Sequence, residues 1–185
     1  MTENEKLTAL RLSRNSLESE LLGAPPARVD ALQEIFSEPG AVFVTLKNRD
    51  KSLRGCIGSL IPYRSLFEDI VENSIASAFR DPRFPPLSKF ELTQVKIEIS
   101  ILTTPSEISY KNGAELLSKI TAGVDGLIIK YGDYQATFLP SVWEEIPKKE
   151  DFISRLCQKA GLEPDFYKSG KLEVYSYRAD KFSEA

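Results

Sequence analysis

Apolar and polar positions alternate most regularly near the middle of the chain, where Val95, Ile97, Ile99 and Ile101 are separated by single polar residues. A period of two predicts a β-strand with one buried face. Elsewhere, apolar residues recur at intervals of three and four, which is the spacing of an amphipathic helix. Helices are therefore predicted over residues 3–22, 66–81, 112–120 and 152–160, with a shorter one that carries Leu32, Ile35 and Phe36.

The second of these helices has clear signals at both ends. Ser65 and Glu68 have the spacing of a capping box, which predicts where the helix begins. Because a proline disfavours helical backbone in the residue before it, the helix should end near Asp81, ahead of Pro82. The proline-rich segment 82–87 then predicts a stiff, extended connection.

The remaining strand-like segments lie close to polar turns. Further strands are predicted over residues 41–47, 53–60, 127–131, 134–139 and 171–177. The turn at 48–51 joins the first two, and Gly132-Asp133 joins the next two, so both pairs are expected to be hairpins. Helices and strands intermingle along the chain, which predicts the α+β class with mainly antiparallel sheet.

Composition limits the kinds of protein that the chain can be. At 185 residues, it fits one domain, with or without a lobed insertion, and can bury a real core. Its net charge of -3 argues against a protein built to coat nucleic acid. No apolar run approaches the length of a membrane span, and the polar N-terminus does not resemble a signal peptide, so we expect a cytoplasmic protein without membrane contact.

The sequence contains no histidine and only two cysteines. The lack of histidine excludes Cys-His and Ser-His-Asp catalysis as well as His-ligated metal sites. Two cysteines cannot form a Cys-rich zinc site. We therefore predict no metal site of these kinds, although an ion bound by oxygen ligands stays open, and acid-base chemistry would have to use carboxylate, Lys, Tyr or Cys.

The segment Leu-Arg-Gly-Cys-Ile-Gly-Ser-Leu at residues 53–60 is the most unusual feature of the chain. Strand interiors normally disfavour glycine. In an extended conformation Arg54, Cys56 and Gly58 would share one face, which would bring a guanidinium close to a sulfur. Glycines beside the thiol would let a ligand or another segment approach the backbone. This segment is therefore the predicted site.

Several segments, taken in order, resemble the AMMECR domain family, named for the Alport syndrome, midface hypoplasia and elliptocytosis chromosomal region. The matching segments are residues 53–59, 79–87, 97–102, 125–128, 138–140 and 157–162. The resemblance covers nearly the whole chain and implies a single domain over residues 1–185. It implies two lobes, the smaller one an insertion, separated by a cleft that the glycine and cysteine motif faces. Some microbial members are associated with Memo-like and radical-SAM proteins, and the resemblance implies no known reaction or cofactor.

Cys56 is the candidate catalytic residue. A nearby cation lowers the pKa of a thiol, and the thiolate is the reactive form, so Arg54 is expected to hold a Cys56 thiolate. The alternative is a small side chain packed between glycines. Cys157 lies on the apolar stripe of a predicted helix, which indicates a core position.

The candidate binding residues combine charged, hydroxyl and glycine positions. They are Arg54, Gly55, Gly58, Ser59, Asp81, Arg83, Glu98 and Ser100. Arg54 and Arg83 together could hold an anionic ligand, because guanidinium groups suit carboxylate and phosphate. Asp81 and Arg83 could equally lock the loop. Glu98 and Ser100 could supply a base and a hydroxyl, or belong to a solvated sheet face.

Two hypotheses about function follow from these residues. The first is a cleft that binds a small anionic metabolite, with Cys56-dependent catalysis as an option, and it predicts a depressed thiol pKa. The alternative is a non-catalytic protein-binding or adaptor module, which predicts an ordinary thiol. Nucleic acid is a less favoured partner, because the chain has no more than a scatter of Arg and Lys.

Overall fold

A computed structural model describes residues 1–23 and 34–185 of the chain. In chain order, its α-helices and strands are α1 (Glu3–Leu22), β1 (Ala41–Lys47), β2 (Leu53–Gly58), α2 (Leu66–Phe79), α3 (Lys89–Leu92), β3 (Lys96–Leu102), β4 (Ser106–Glu107), α4 (Gly113–Lys119), β5 (Gly126–Tyr131), β6 (Tyr134–Phe138), α5 (Lys149–Lys159), β7 (Glu173–Tyr177) and β8 (Ala179–Ser183). The short helix predicted around Leu32 falls partly on residues 24–33, outside the described residues.

The chain divides into two compact units. Unit 1 contains residues 1–102 and 180–185, and unit 2 contains residues 103–179. The described residues form two four-stranded sheets, in which β1 pairs antiparallel with β2 and β3, and β7 and β5 pair antiparallel with their neighbours. The predicted α+β class with mainly antiparallel sheet is confirmed. The cleft that the family resemblance implies stays a prediction.

The sheet of unit 1 has the strand order β2-β1-β3-β8 and buries one face. The alternation that predicted β3 is confirmed, because Ile97 and Ile99 are fully buried while Glu98 and Ser100 are half-buried. Apolar side chains of β1 and β3 join those of α1 and α2 in one core cluster. Burial of this kind stabilises a strand by roughly 2 kcal/mol for each large aliphatic side chain. The opposite face carries the polar residues considered below.

The helix α2 begins and ends as its sequence signals predict. The Ser65 hydroxyl accepts a hydrogen bond from the Glu68 amide, and the Glu68 carboxylate accepts one from the Ser65 amide, which completes the capping box. The last helical residue is Phe79, and Arg80 is the C-cap. Asp81 therefore lies directly after the helix and before Pro82.

Unit 2 has the strand order β4-β7-β5-β6 and its own apolar core. The ring of Trp143 stacks on that of Phe152, with centroids 3.7 Å apart. Cys157 is fully buried on α5, so its predicted core position is confirmed. Tyr131 and Tyr134 pair across the two-residue turn at Gly132-Asp133, which confirms the predicted hairpin.

Candidate functional site

A polar row crosses the unit 1 sheet on its half-buried face. Cys56 of β2 is registered opposite Thr45 of β1, and Thr45 is registered opposite Glu98 of β3. Directly opposite residues in adjacent strands place their side chains on the same face. A thiol, a hydroxyl and a carboxylate are thus side by side, and we call them the Cys56 row. The next row along this face contains Gly58, Phe43 and Ser100.

The two glycines of the motif accommodate close packing, one on each face of the sheet. A Cβ atom on Gly55 would lie 2.1 Å from the backbone oxygen of Ser77 in α2. A Cβ atom on Gly58 would lie 2.3 Å from the ring of Phe43. The space beside each glycine is therefore filled by the protein itself. The glycines allow a helix and an aromatic ring to approach β2, a role for which no ligand is required.

Asp81 and Arg83 pair with each other and hold the backbone of β2. The Asp81 carboxylate accepts hydrogen bonds from the Cys56 amide at 2.8 Å and from Arg83 Nε and Nη2 at 2.9 and 2.7 Å. Arg83 also donates to the Cys56 carbonyl at 3.3 Å. The Arg83 guanidinium holds the pKa of Asp81 well below its usual range, and the Cys56 amide adds to the effect against the opposing cost of burial. The pair locks the loop after α2 to the motif strand.

Arg54 does not hold the thiol, contrary to the expectation from strict alternation. The register shifts between Leu46 and Lys47, so Arg54 has no partner in β1 and lies at a bulge. Arg54 is 5% exposed, and its side chain donates to Glu91 Oε1 at 2.7 Å and to the Pro85 carbonyl at 2.9 Å. The pKa of Glu91 is lowered to about 2, mainly by that hydrogen bond from Arg54. Arg54 is thus committed to an internal ion pair.

The Cys56 sulfur lies in a setting that favours the neutral thiol. Thr45 Oγ1 donates a hydrogen bond to the sulfur at 3.2 Å. Burial raises the pKa of Cys56 above its ordinary value, and the Thr45 hydrogen bond and the Arg83 charge offset this only in part. The direction is opposite to that expected for an activated thiolate. The cation that acts on the thiol is Arg83, not Arg54.

Glu98 and Ser59 have partners that the sequence did not indicate. Glu98 accepts from Lys47 Nζ at 3.0 Å and lies 3.2 Å from Lys181 Nζ, so two lysines share one carboxylate. Ser59 donates to the fully buried Asp69 at 2.7 Å and is not part of the Cys56 row. Thr45 and Lys47 could have been found from the alternation of β1, whereas the buried Asp69 carried no sequence signal.

Within residues 1–23 and 34–185, no group of three or more His, Cys, Asp or Glu side chains is arranged to hold a metal ion. Across those same residues, no helix is long and apolar enough to cross a membrane. Arg54 Nη1 is buried and has no hydrogen-bond partner in the described part of the chain. This atom belongs to the Arg54–Glu91 pair and not to the Cys56 row.

The α+β fold and the ordered motif define a class that comparison with known proteins identifies. The AMMECR1 family model matches residues 10–182, so the chain belongs to that family. Protein MJ0810 of Methanocaldococcus jannaschii is 39% identical over 186 residues, which cover 100% of this chain and 92% of the relative. Protein NEQ441 of Nanoarchaeum equitans is 38% identical over 175 residues, covering 94% of this chain and 97% of the relative.

A solved structure has the same fold. The crystal structure of the uncharacterized protein PH0010 from Pyrococcus horikoshii matches with a TM-score of 0.89 and 34% identity. The match covers 100% of this chain and 93% of that one. The resemblance seen in the sequence motifs is thereby confirmed, and the relatives' names state no reaction, ligand or partner.

Proposed function

We propose that unit 1 binds a small anionic molecule on the half-buried face of its sheet, and that Cys56 contacts this molecule as a neutral thiol. The observation that carries the proposal is the Cys56 row, where a thiol, a hydroxyl and a carboxylate lie in register. Ligand sites combine apolar walls with a small number of placed polar groups. Phe43, in the neighbouring row, supplies an apolar wall beside these three polar side chains.

The charge on this face supports an anionic ligand. Glu98 forms ion pairs with both Lys47 and Lys181, so one negative charge is shared by two positive ones. Lys96 lies two residues before Glu98 on β3 and therefore on the same face. The Asp81–Arg83 pair adds no net charge. A positive face on a chain of net charge -3 attracts anions locally.

The surroundings of the sulfur support binding rather than nucleophilic attack. The thiolate is the nucleophilic form of cysteine, and burial disfavours it here. The chain has no histidine that could serve as a base. Because the Thr45 hydroxyl donates to the sulfur, the S–H proton stays available as a weak donor to a bound anion.

Alkylation of Cys56 against pH, followed by mass spectrometry, tests the state of the thiol. The buried Cys157 serves as the control in the same chain. We expect slow modification of Cys56 with an apparent pKa above that of a free thiol. Arg83→Ala should raise this pKa further, because the positive charge of Arg83 favours the thiolate. A depressed pKa in the unmodified chain would contradict the proposal and restore the nucleophile hypothesis.

Protection of Cys56 from alkylation tests binding itself. The probes are inorganic phosphate, pyrophosphate, malonate and a set of sugar phosphates. A ligand on this face should slow the alkylation of Cys56, and the effect should weaken in Lys47→Gln and Lys181→Gln. Lys148→Gln, at an exposed position of unit 2, is the matched control and should keep full protection. Absence of protection by every probe would count against the proposal.

The second candidate, a protein-binding module, is favoured by one observation near the motif. Ile61 and Tyr63, in the loop after β2, are 57% and 69% exposed. Large exposed apolar side chains that lie close together are typical of interaction surfaces. A photo-crosslinking residue at Tyr63 should capture a defined partner that the same residue at Tyr134, 50% exposed in unit 2, does not. Equal capture at both positions would contradict this candidate.

A further inference from the structure

A basic pocket of about 290 Å³ lies at the β1–β2 hairpin end of the unit 1 sheet. Four cationic side chains line it, namely Lys47, Arg49, Lys51 and Lys96. We call it the hairpin pocket. Its two carboxylates are Glu98 and Glu184. The positive charges therefore outnumber the negative ones on a chain that is negative overall.

Both carboxylates of the hairpin pocket are already neutralised by other groups. Glu184 is ion-paired with Arg14 and accepts the Ile97 amide. Glu98 is shared by Lys47 and Lys181. Within the described part of the chain, the side chains of Arg49, Lys51 and Lys96 have no hydrogen-bond or ion-pair partner. Three positive charges thus line one pocket without forming an ion pair to a described residue, since the neighbouring Asp50 carboxylate accepts from Ser52.

The placement of these charges is compensated only in part, because Glu98 pairs with Lys47 and no ion pair reaches Lys96 in the described part of the chain. Lys47 and Lys96 are directly opposite each other in the β1–β3 register. Like charges at such positions destabilise a sheet. A departure from local rules without another gain is expected mainly at functional positions. An anion held between these side chains would turn the repulsion into attraction.

The hairpin that carries Arg49 and Lys51 is held by its own hydrogen bonds. The Asn48 amide donates to the Ser52 carbonyl at 2.9 Å, and the Lys51 amide donates to the Asn48 carbonyl at 2.9 Å. The Asp50 carboxylate accepts the Ser52 amide at 3.0 Å. Less ordering is therefore needed when a ligand binds, which favours affinity.

We propose that the hairpin pocket binds two closely linked anionic groups, as in a diphosphate or a dicarboxylate. The inference rests on the proposed function and names the chemistry of its ligand. Lys47 and Lys96 are each two residues from the Cys56 row, about 7 Å along the strands. If the anionic groups of a small molecule bind in the hairpin pocket, the rest of the molecule can extend along the strands to Thr45 and Cys56. A pocket of this volume suits a small ligand better than a polymer.

Calorimetric titration of the full chain with inorganic pyrophosphate tests the inference, and malonate distinguishes a dicarboxylate from a diphosphate. We expect either pyrophosphate or malonate to bind. The double variant Arg49→Gln/Lys51→Gln should weaken that binding at least tenfold. Arg11→Gln/Lys148→Gln removes the same charge at exposed positions and should leave binding within about twofold of the starting chain. Equal weakening in both double variants would overturn the inference.

A second variant, Lys51→Gly, separates a loss of anion binding from a loss of folded protein. Lys51 has a φ of 69°, a region that favours glycine, so Lys51→Gly should fold at least as well while still weakening the binding of the probe. Unchanged binding in Lys51→Gly and in the double variant would overturn the inference. Tighter binding of a single-stranded RNA than of either probe would overturn it too, in favour of a nucleic-acid surface.

The two proposals fail in different ways. Pyrophosphate or malonate binding is measured directly and does not require Cys56. If such binding depends on Arg49 and Lys51 while no probe protects Cys56, the hairpin pocket is supported and the proposed function fails. If ligands protect Cys56 and the hairpin variants leave this protection unchanged, the proposed function is supported and the hairpin inference fails.

Discussion

Glu91→Gln tests whether Arg54 is a structural residue. The substitution removes the negative charge that accepts from Nε of the buried Arg54 side chain at 2.7 Å, with little change in shape. Removing one partner of a buried ion pair typically costs about 3–5 kcal/mol. Because the side chain of Glu91 is 34% exposed, solvent screening reduces the expected loss in unfolding free energy to about 1–3 kcal/mol.

The same pair makes stability depend on pH, and the pKa of Glu91 gives the direction. That pKa is about 2 in the folded chain against an ordinary value of 4.5. A lowered pKa means that the carboxylate contributes stability above pH 4.5 and that this contribution is lost as the pH falls towards 2. The pKa difference corresponds to at most roughly 3 kcal/mol, which screening again reduces to about 1–2 kcal/mol.

Urea unfolding of the unmodified chain and of Glu91→Gln at about pH 7 and about pH 3 measures both quantities. The unmodified chain should lose more stability between these pH values than the variant, which lacks the titrating group. In a double-mutant cycle, Arg54→Met should cost less stability when Glu91→Gln is already present than in the unmodified chain. Equal stability of Glu91→Gln and the unmodified chain at neutral pH would refute the structural role of the pair.

Three further predictions concern the motif and the hairpin. Gly55→Ala should cost about 1–3 kcal/mol in thermal or urea unfolding, because its Cβ would lie 2.1 Å from a backbone oxygen of α2 that cannot rotate away; an unchanged unfolding midpoint would contradict this. Asp81→Asn should lower the pKa of Cys56 and speed its alkylation, because a negative charge that disfavours the thiolate is removed; slower alkylation would be the opposite result. Lys51→Gly should stabilise the chain by up to about 1 kcal/mol by relieving its left-handed backbone, and a lower unfolding midpoint would exclude that.

Elements that depend on neighbouring residues were predictable from the sequence. The β3 alternation, the Ser65 capping box and the turn at Gly132-Asp133 all act within a few residues of chain, so their physical causes are visible in the sequence. The intermingled helices and strands likewise predicted the α+β class, which the two sheets and the helices of the structure confirm. The alternation of side chains also predicted that Cys56 and Gly58 share one face, whereas the predicted contact of Arg54 with the thiol was wrong.

Contacts between distant parts of the chain could not be predicted in this way. The partner of Arg54 is Glu91, 37 residues away, and the register shift at Leu46 and Lys47 redirects the arginine from the thiol. The close approach of α2 to Gly55 could not be predicted either, because it depends on how the helix packs on the sheet.

The sequence by itself thus determined most of the helices and strands, the family and the residue types of the motif, but not the short elements α3, β4 and β8. The tertiary structure decided that Arg54 pairs with Glu91, because ion pairing depends on distances of about 3–4 Å and the chain order does not bring these two residues together. That packing also anchors the Asp81–Arg83 pair to the amide of Cys56, whereas Arg49, Lys51 and Lys96 form no ion pair among the described residues.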